Sequence, residues 1–583
     1  MSFERRSPGA PACAPTKQRT RRSVDQIADA AIGRFTGGLS PTALALAYID
    51  WSSHLAKSFE TNLSLALDAQ QGFLRFAEYC LRACVDPGCR LCVHPEHSDK
   101  RFADEQWKAQ PFQAYAQAFL LVQNWWREAT TGAPGVTPHH QMVVSFAARQ
   151  WLDVFSPANF AMTNPEVLNR TIGEAGANLH RGFGHWLDDV TRLVDGRKPV
   201  GAEDFAVGRD VATTPGRVVF RNELMELIQY DPRTPTTHPE PVLIVPAWIM
   251  KYYILDLSPG NSLVRYLVES GFTVFIISWK NPSREDRDLS LEDYRRLGVE
   301  TARNECLART RSKSLHLVGY CLGGTLAAIE AAALARDGDK ILRSLTLLAA
   351  QVDFSEAGEL TLFVDESQVA FLENVMEEKG YLDAKQMAGA FQFLRSSDLI
   401  WSSAVRNYLL GERPSVFDLM AWNADATRMP SRMHGEYLRR LFLDNELARN
   451  LYCVDGRPVA LRDIRTPIFS VGTESDHVAP WRSVYKVHTH TNSDVTFVLS
   501  TGGHNAGVVN PPNATTKRHQ IARHDDLKAY IDPDSWRAGA QNHEGSWWPC
   551  WLDWLKDRSS APTVPPAIIS EFEKAPGTYV FQP

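Results

Sequence analysis

Long hydrophobic runs are missing from this chain: no window approaches about 18 uninterrupted apolar residues. A membrane-spanning helix is therefore not expected. The opening MSFERRSPGAPACAPTKQRTRRS also lacks the continuous apolar stretch of a secretory leader. An excess of one charge is missing too, since 62 Lys and Arg face 68 Asp and Glu, which leaves −6 and no basic field for nucleic acid or an anionic membrane. Nine cysteines, an odd number, make no disulfide framework and suit a reducing compartment with most thiols free. With 36 Gly and 34 Pro in 583 residues, collagen, wholesale disorder and low complexity are excluded. A soluble, cytoplasmic protein is the expectation.

What is present is ordinary globular material, 44% apolar and 22% charged, in a chain too long for one common core. Residues 1–25, rich in Arg, Pro and Ser, read as a disordered basic tail. Residues 26–205 read as a mainly helical domain. Within it Phe112, Tyr115, Phe119, Val122 and Trp126 recur at steps of three and four, which predicts one buried helix face. Further helices are expected over Pro41–Ala83, Thr137–Phe155 and Pro165–Leu193.

From about Arg217 short β-rich runs alternate with helical stretches, at Val218–Arg221, Val242–Val245, Thr273–Trp279, Ser314–Gly319, Ser344–Ala350, Pro467–Val471 and Val495–Leu499. Largely apolar runs such as Leu315–Val318 fit strands covered on both faces, so residues 206–583 are expected to form an α/β domain on a parallel, doubly wound sheet. The alternation lapses between about Phe354 and Asn450, where an insertion would lie over the carboxyl ends of the strands as a lid.

Leu315–Val318 runs into Gly319-Tyr320-Cys321-Leu322-Gly323-Gly324-Thr325 and an Ala-rich helical run. Strand, sharp turn and helix make the setting of a nucleophile elbow, whose flanking glycines remove Cβ atoms where strand and helix crowd together. Cys321 holds the crest. A base and a group to orient it are expected on later loops, acid first and histidine second. Asp476, after Pro467–Val471, and His504, on the Gly-rich loop after Val495–Leu499, stand in that order. His477 is the rival base, but it adjoins Asp476 and is badly placed to partner it; Glu474 is the rival acid. An oxyanion would be met by the amide of Leu322 and by one from the loop after Val242–Val245, with Ile249 nominated and Trp248 the alternative.

These residues and their surroundings resemble the polyhydroxyalkanoate synthases, and in particular the single-subunit class I enzymes that favour short 3-hydroxyacyl units. The likeness runs through Thr214–Leu224, Trp248–Leu257, Ser278–Pro282, Trp422–Thr427, Gly503–Pro512 and Gly545–Pro549, and spans roughly residues 110 to 555. It departs at Pro246-Ala247, where the family has Pro-Pro, and at Cys550, where Asp is usual. The resemblance implies an α/β-hydrolase fold with a helical cap over about 351–445. It implies Cys321 as nucleophile with Asp476 and His504, and polymerisation of (R)-3-hydroxyacyl-CoA with release of CoA, without a further cofactor. It also implies a homodimer seated on polyester granules. A Cys-dependent hydrolase, of the dienelactone-hydrolase or depolymerase kind, is the alternative, because the same elbow serves both. A granule-coating scaffold without turnover is a third reading.

Two other clusters stand out. Cys80, Cys84, Cys89, Cys92, His94 and His97 have partly ligand-like spacing, yet Cys80 and Cys84 are expected simply to share a helix face, and no metal is expected. Trp547, Trp548, Trp551 and Trp554 read as a core stripe, and Asp353 and Asp425 as structural hydrogen-bonding groups.

Overall fold

The computed structural model describes residues 24–36, 38–86, 88–96, 99–383, 386, 389, 396–524 and 529–583. The tail expected over 1–25 lies outside them, except that Val24 and Asp25 already belong to helix α1 (Val24–Thr36). Contacts divide the chain into a sheet-centred unit, Met1–Gly38, Ala202–Gln386 and Phe417–Pro583, and a helical unit, Leu39–Gly201 and Met387–Val416.

This division corrects the linear boundaries at 25/26, at 205/206 and within the cap. Helix α1 leaves the expected N-terminal domain because it packs on Glu366–Lys379: a Cβ on Gly33 would stand 2.7 Å from Val375 Cγ2, and Asn374 donates to Asp29 at 2.8 Å. Conversely, the middle of the expected cap joins the helical unit. Asn178 Nδ2 donates to the Leu409 carbonyl at 2.8 Å, and Arg413 pairs with Asp188 and Asp189, each at 3.0 Å. Neither change could be read from local pattern.

The helical unit holds α2 (Pro41–Lys57), α3 (Phe59–Val85), α4 (Phe112–Thr131), α5 (Pro138–Val154), α6 (Pro165–Gly173) and α7 (Ala177–Val194). The long stretches expected over Pro41–Ala83 and Pro165–Leu193 each split in two. The first breaks at Ser58, which caps α2; the second breaks where Ala175 and Gly176 turn left-handed at φ 47° and 85°. On α4 the expected face is only partly right, since Phe119 is buried but Tyr115, Val122 and Trp126 are exposed. The inner face is Ala116, Gln117, Phe119 and Leu120 instead. Gln117 escapes an apolar pattern because its amide is satisfied: it accepts from Val93 N and donates to the Val93 carbonyl, each at 2.9 Å. The same side chain takes the Cys92 thiol at 3.1 Å. Among the described residues no three His, Cys, Asp or Glu side chains are placed to hold a metal ion; His97 lies outside them.

The sheet-centred unit is built on ten strands: β1 (Gly216–Arg221), β2 (Met225–Tyr230), β3 (His238–Val245), β4 (Phe272–Trp279), β5 (Leu315–Tyr320), β6 (Leu342–Leu348), β7 (Ile468–Thr473), β8 (Val495–Ser500), β9 (Arg518–His524) and β10 (Gln541–Glu544). Their order is 1-2-4-3-5-6-7-8-9-10. The six strands from β4 to β8 in that order are mutually parallel, and the flanking strands are antiparallel. All seven expected strands are present. Every residue of β4, β5, β7 and β8 is buried, as helices on both faces of a parallel sheet require.

Helix α8 (Leu322–Arg336) leaves β5, α9 (Glu366–Lys379) follows β6, and α10 (Trp548–Lys556) carries the tryptophan stripe. Trp547, Trp548, Trp551 and Trp554 are all buried, as core packing predicts. Asp353 and Asp425 are hydrogen-bonded within the fold, to His490 Nε2 at 2.9 Å and from Tyr253 Oη at 2.5 Å. Among the described residues no helix is long and apolar enough to cross a membrane.

Candidate active site

The carboxyl ends of β5, β7 and β8 converge on one cluster. At the first, the chain turns from strand to helix within one residue, and Cys321 takes φ 52° and ψ −123°, a conformation that costs an L-residue of order 1–3 kcal/mol. Its neighbours explain how the turn closes. A Cβ on Gly319 would lie 2.3 Å from Gly324 Cα, and one on Gly323 would lie 2.1 Å from the Val245 carbonyl oxygen. One on Gly324 would strike Ala350 Cβ at 2.3 Å. Three glycines therefore let α8 start directly against the ends of β3 and β6, and the thiol is left buried at the crest.

Asp476 is held from four sides. Its Oδ1 accepts Val478 N at 2.9 Å and Ala479 N at 2.8 Å; its Oδ2 accepts Thr473 Oγ1 at 3.0 Å and His504 Nδ1 at 2.7 Å. The donor at Nδ1 leaves Nε2 of His504 as the proton acceptor. Burial opposes charge on this imidazole, but the hydrogen-bonded Asp476 carboxylate and the influence of the Cys321 sulfur outweigh burial and lift its pKa well above the ordinary histidine range. The acid and base expected from the sequence are thus hydrogen-bonded to each other, and the thiol acts electrostatically on the same imidazole. Of the rivals, Glu474 is turned to Arg537 at 2.6 Å, and it is His504 rather than His477 that reaches the Asp476 carboxylate.

The histidine loop is clamped by groups that pattern did not single out for this purpose. Glu474 N donates to Ser500 O at 2.9 Å and Ser475 N to Gly502 O at 3.0 Å, which ties the acid loop to the histidine loop. The indoles of Trp547 and Trp548 donate to the carbonyls of Gly507 and Val508, each at 3.0 Å, so α10 anchors the far side of the loop. Tyr320, beside the thiol, donates to Asn505 Oδ1 at 2.5 Å, and its ring lies 5.6 Å from that of His504.

The loop after β3 is fixed by Thr427, which donates through Oγ1 to the Trp248 carbonyl at 2.6 Å and through N to the Ile249 carbonyl at 3.2 Å. In a trans peptide the Ile249 N–H then points away from Thr427. Leu322 is the first residue of α8, so its N–H has no partner within the helix. The segment that follows Thr427, Ser431–Glu436 continuing as Tyr437–Leu443, covers this corner. Tyr437 packs edge-on against Trp248, and burial together with the Cys321 sulfur raises its phenol well above the usual range. Nothing in Gly435-Glu436-Tyr437-Leu438 announces that role; only the folded chain sets the ring against Trp248.

Comparison with known proteins agrees with the topology. Residues 98–267 match the family description Poly-beta-hydroxybutyrate polymerase (PhaC) N-terminus, residues 19–58 match Poly-beta-hydroxybutyrate polymerase N terminal, and residues 240–511 match the alpha/beta hydrolase fold. The sheet-centred unit, with its elbow after β5, has that fold. A poly(3-hydroxyalkanoate) polymerase of Methylorubrum extorquens is 43% identical over 498 residues, covering 84% of this chain and 81% of the relative. Polymerase subunits PhaC of Rhizobium meliloti and Cupriavidus necator are 39% and 37% identical, covering 83% and 88% of this chain and 80% and 88% of theirs. The chain belongs to the poly(3-hydroxyalkanoate) polymerase family.

Proposed function

We propose that this chain polymerises (R)-3-hydroxyacyl-CoA into polyester with release of CoA, through thioesters on Cys321. The observation that carries the reading is the series Asp476, His504, Cys321 at the end of a strained elbow, inside a family of polymerases. His504 takes the thiol proton, the sulfur attacks the acyl carbon, and CoA leaves with that proton. Leu322 and Ile249 amides receive the oxyanion. Exchange of one thioester for another keeps the activation of the CoA ester, which a serine nucleophile would discard. A hydroxyl of a second acyl unit, deprotonated by His504, then attacks the Cys321 thioester and forms an oxoester, a downhill step.

Water competes with that hydroxyl, so a polymerase needs a covered site. The aromatic segment around Tyr437 supplies cover within the sheet-centred unit. No cofactor is required beyond the CoA thioester itself. Short acyl units, a homodimer and a seat on the polyester granule belong to the same reading.

Incubation with 3-hydroxybutyryl-CoA tests it: CoA release with polymer from the wild type, and none from Cys321→Ala, is the expected result. Free 3-hydroxy acid without polymer would replace the polymerase by a hydrolase, and unchanged turnover in Cys321→Ala would remove the thioester altogether.

A further inference from the structure

In the sheet β5 lies between β3 and β6, so the loops that leave those two strands flank the crest where Cys321 stands. Tyr437 bridges them. Its ring is 6.4 Å from Trp248, on the β3 side, and 6.4 Å from Phe354, on the β6 side, with both contacts edge-on at 87° and 86°. Phe442 closes a third side at 5.3 Å. A ring held by both flanking loops belongs to the rim around the crest between them, and the Cys321 sulfur helps raise its phenol. The ring is buried at 7% exposure, yet among the described residues no group hydrogen-bonds to its hydroxyl. An unpartnered O–H on a buried ring is a donor free to meet a bound acceptor.

We propose that the Tyr437 hydroxyl donates a hydrogen bond to the acyl oxygen at Cys321, as a third oxyanion donor beside the Leu322 and Ile249 amides. The inference rests on the Cys321 reading above. As the sulfur–carbon bond forms, the carbonyl π pair moves onto oxygen and meets Tyr437 O–H; collapse of that oxyanion restores the carbonyl and breaks the bond to CoA, whose thiolate takes the proton from His504. Tyr437 gives up no proton and is unchanged at the end. The same oxygen becomes negative again when the second acyl unit's hydroxyl attacks, so the donor acts twice for each ester formed. Burial keeps this phenol in its neutral, donating form at all working pH values. The rings of Trp248, Phe354, Phe442 and His434 pack around Tyr437, and a fixed dipole in such a water-poor corner is worth more than in water.

The test is Tyr437→Phe, assayed beside the wild type and Cys321→Ala with 3-hydroxybutyryl-CoA. The expected result is a kcat for CoA release lower by on the order of a hundredfold. KM should hold within about twofold, as should the rate at which iodoacetamide alkylates Cys321, because the thiol and its base are untouched. Retention of more than half the wild-type kcat would overturn the proposal. So would an alkylation rate that falls in step with kcat, which would assign Tyr437 to the thiol instead of the substrate. A large drop in melting temperature would make the hydroxyl structural and overturn it equally. Turnover in Cys321→Ala is a separate outcome, since it would retire the thioester reading itself.

Discussion

His504 Nδ1 donates to Asp476 Oδ2 at 2.7 Å, while Oδ1 of the same carboxylate is occupied by the backbone amides of Val478 and Ala479. Two amides on one oxygen set which oxygen is free for the imidazole. In Asp476→Asn the amide oxygen would stay with Val478 and Ala479, so the NH₂ group would face Nδ1 and force the proton to Nε2. A base with its acceptor nitrogen already protonated cannot take the thiol proton. We expect kcat for CoA release to fall by about three orders of magnitude with the fold intact, which circular dichroism and a melting curve would verify.

The elbow glycines make a second prediction through a contrast of sign. Gly323→Ala would drive a Cβ against the Val245 carbonyl at 2.1 Å, backbone against backbone, where nothing flexible can yield. A loss of about 3 kcal/mol in urea unfolding is expected, with no alkylation of a correctly activated thiol. Gly72, inside α3, has nothing within 4 Å of its Cβ position. Gly72→Ala should therefore stabilise the protein by about 0.5–1 kcal/mol.

A third prediction concerns pH. Burial holds His316, His434 and His488 down to about 4 each, against 6.5 in an open chain. Between those values the unfolded chain binds more protons than the fold, so stability rises with pH through the window from 4 to 6.5 and levels above it. At pH 5 each histidine should cost about 2 kcal/mol relative to pH 7, read from urea midpoints. His434→Phe removes an Nδ1 that has no partner, and should erase that residue's share of the slope while leaving stability at pH 7. His504 has the opposite sign. Its raised pKa adds stability that is full below 6.5 and lost as pH climbs through the folded value.

Helix α10 offers a fourth. Trp548→Phe keeps most of the buried ring but frees the Val508 carbonyl, so the His504 loop should loosen. A fall in kcat of roughly 3- to 30-fold is expected from a small misplacement of the base. A parallel fall in the alkylation rate of Cys321 would locate the fault at the imidazole.

The chemistry was legible in the sequence where backbone crowding leaves a mark. Gly319 and Gly323 are glycines because adjacent backbone occupies their Cβ positions, and Gly324 because Ala350 Cβ does, and that necessity shows as a spacing. Asp476 and His504 follow strands β-rich and apolar enough that their loops could be placed. Strand β2 was missed because Glu226 and Gln229 point inward, Glu226 accepting Thr578 N at 3.0 Å and Tyr579 N at 3.1 Å. Strand β10, Gln541–Glu544, is an exposed edge with no apolar residue to betray it, and β9 beside it is almost as polar. The domain boundaries failed for a different reason: the partners of this segment lie more than 300 residues away, Asn374 for Asp29 of α1 and Gln368 for Gly38 just after it. Tyr437 belongs to that class too, for its meaning depends on Trp248 and Phe354 arriving from separate loops.

The left-handed twist at Cys321 carries a consequence for the usual ranking of small residues. Alanine ordinarily gives a firmer backbone than glycine by about 0.5–1 kcal/mol, yet at φ 52° alanine inherits the cysteine's discomfort and glycine does not. Two inactive proteins, Cys321→Gly and Cys321→Ala, should accordingly melt in reversed order, the glycine form higher. The chain holds at this spot a residue that the backbone itself would refuse, and the inversion would record how firmly the surrounding sheet overrules it.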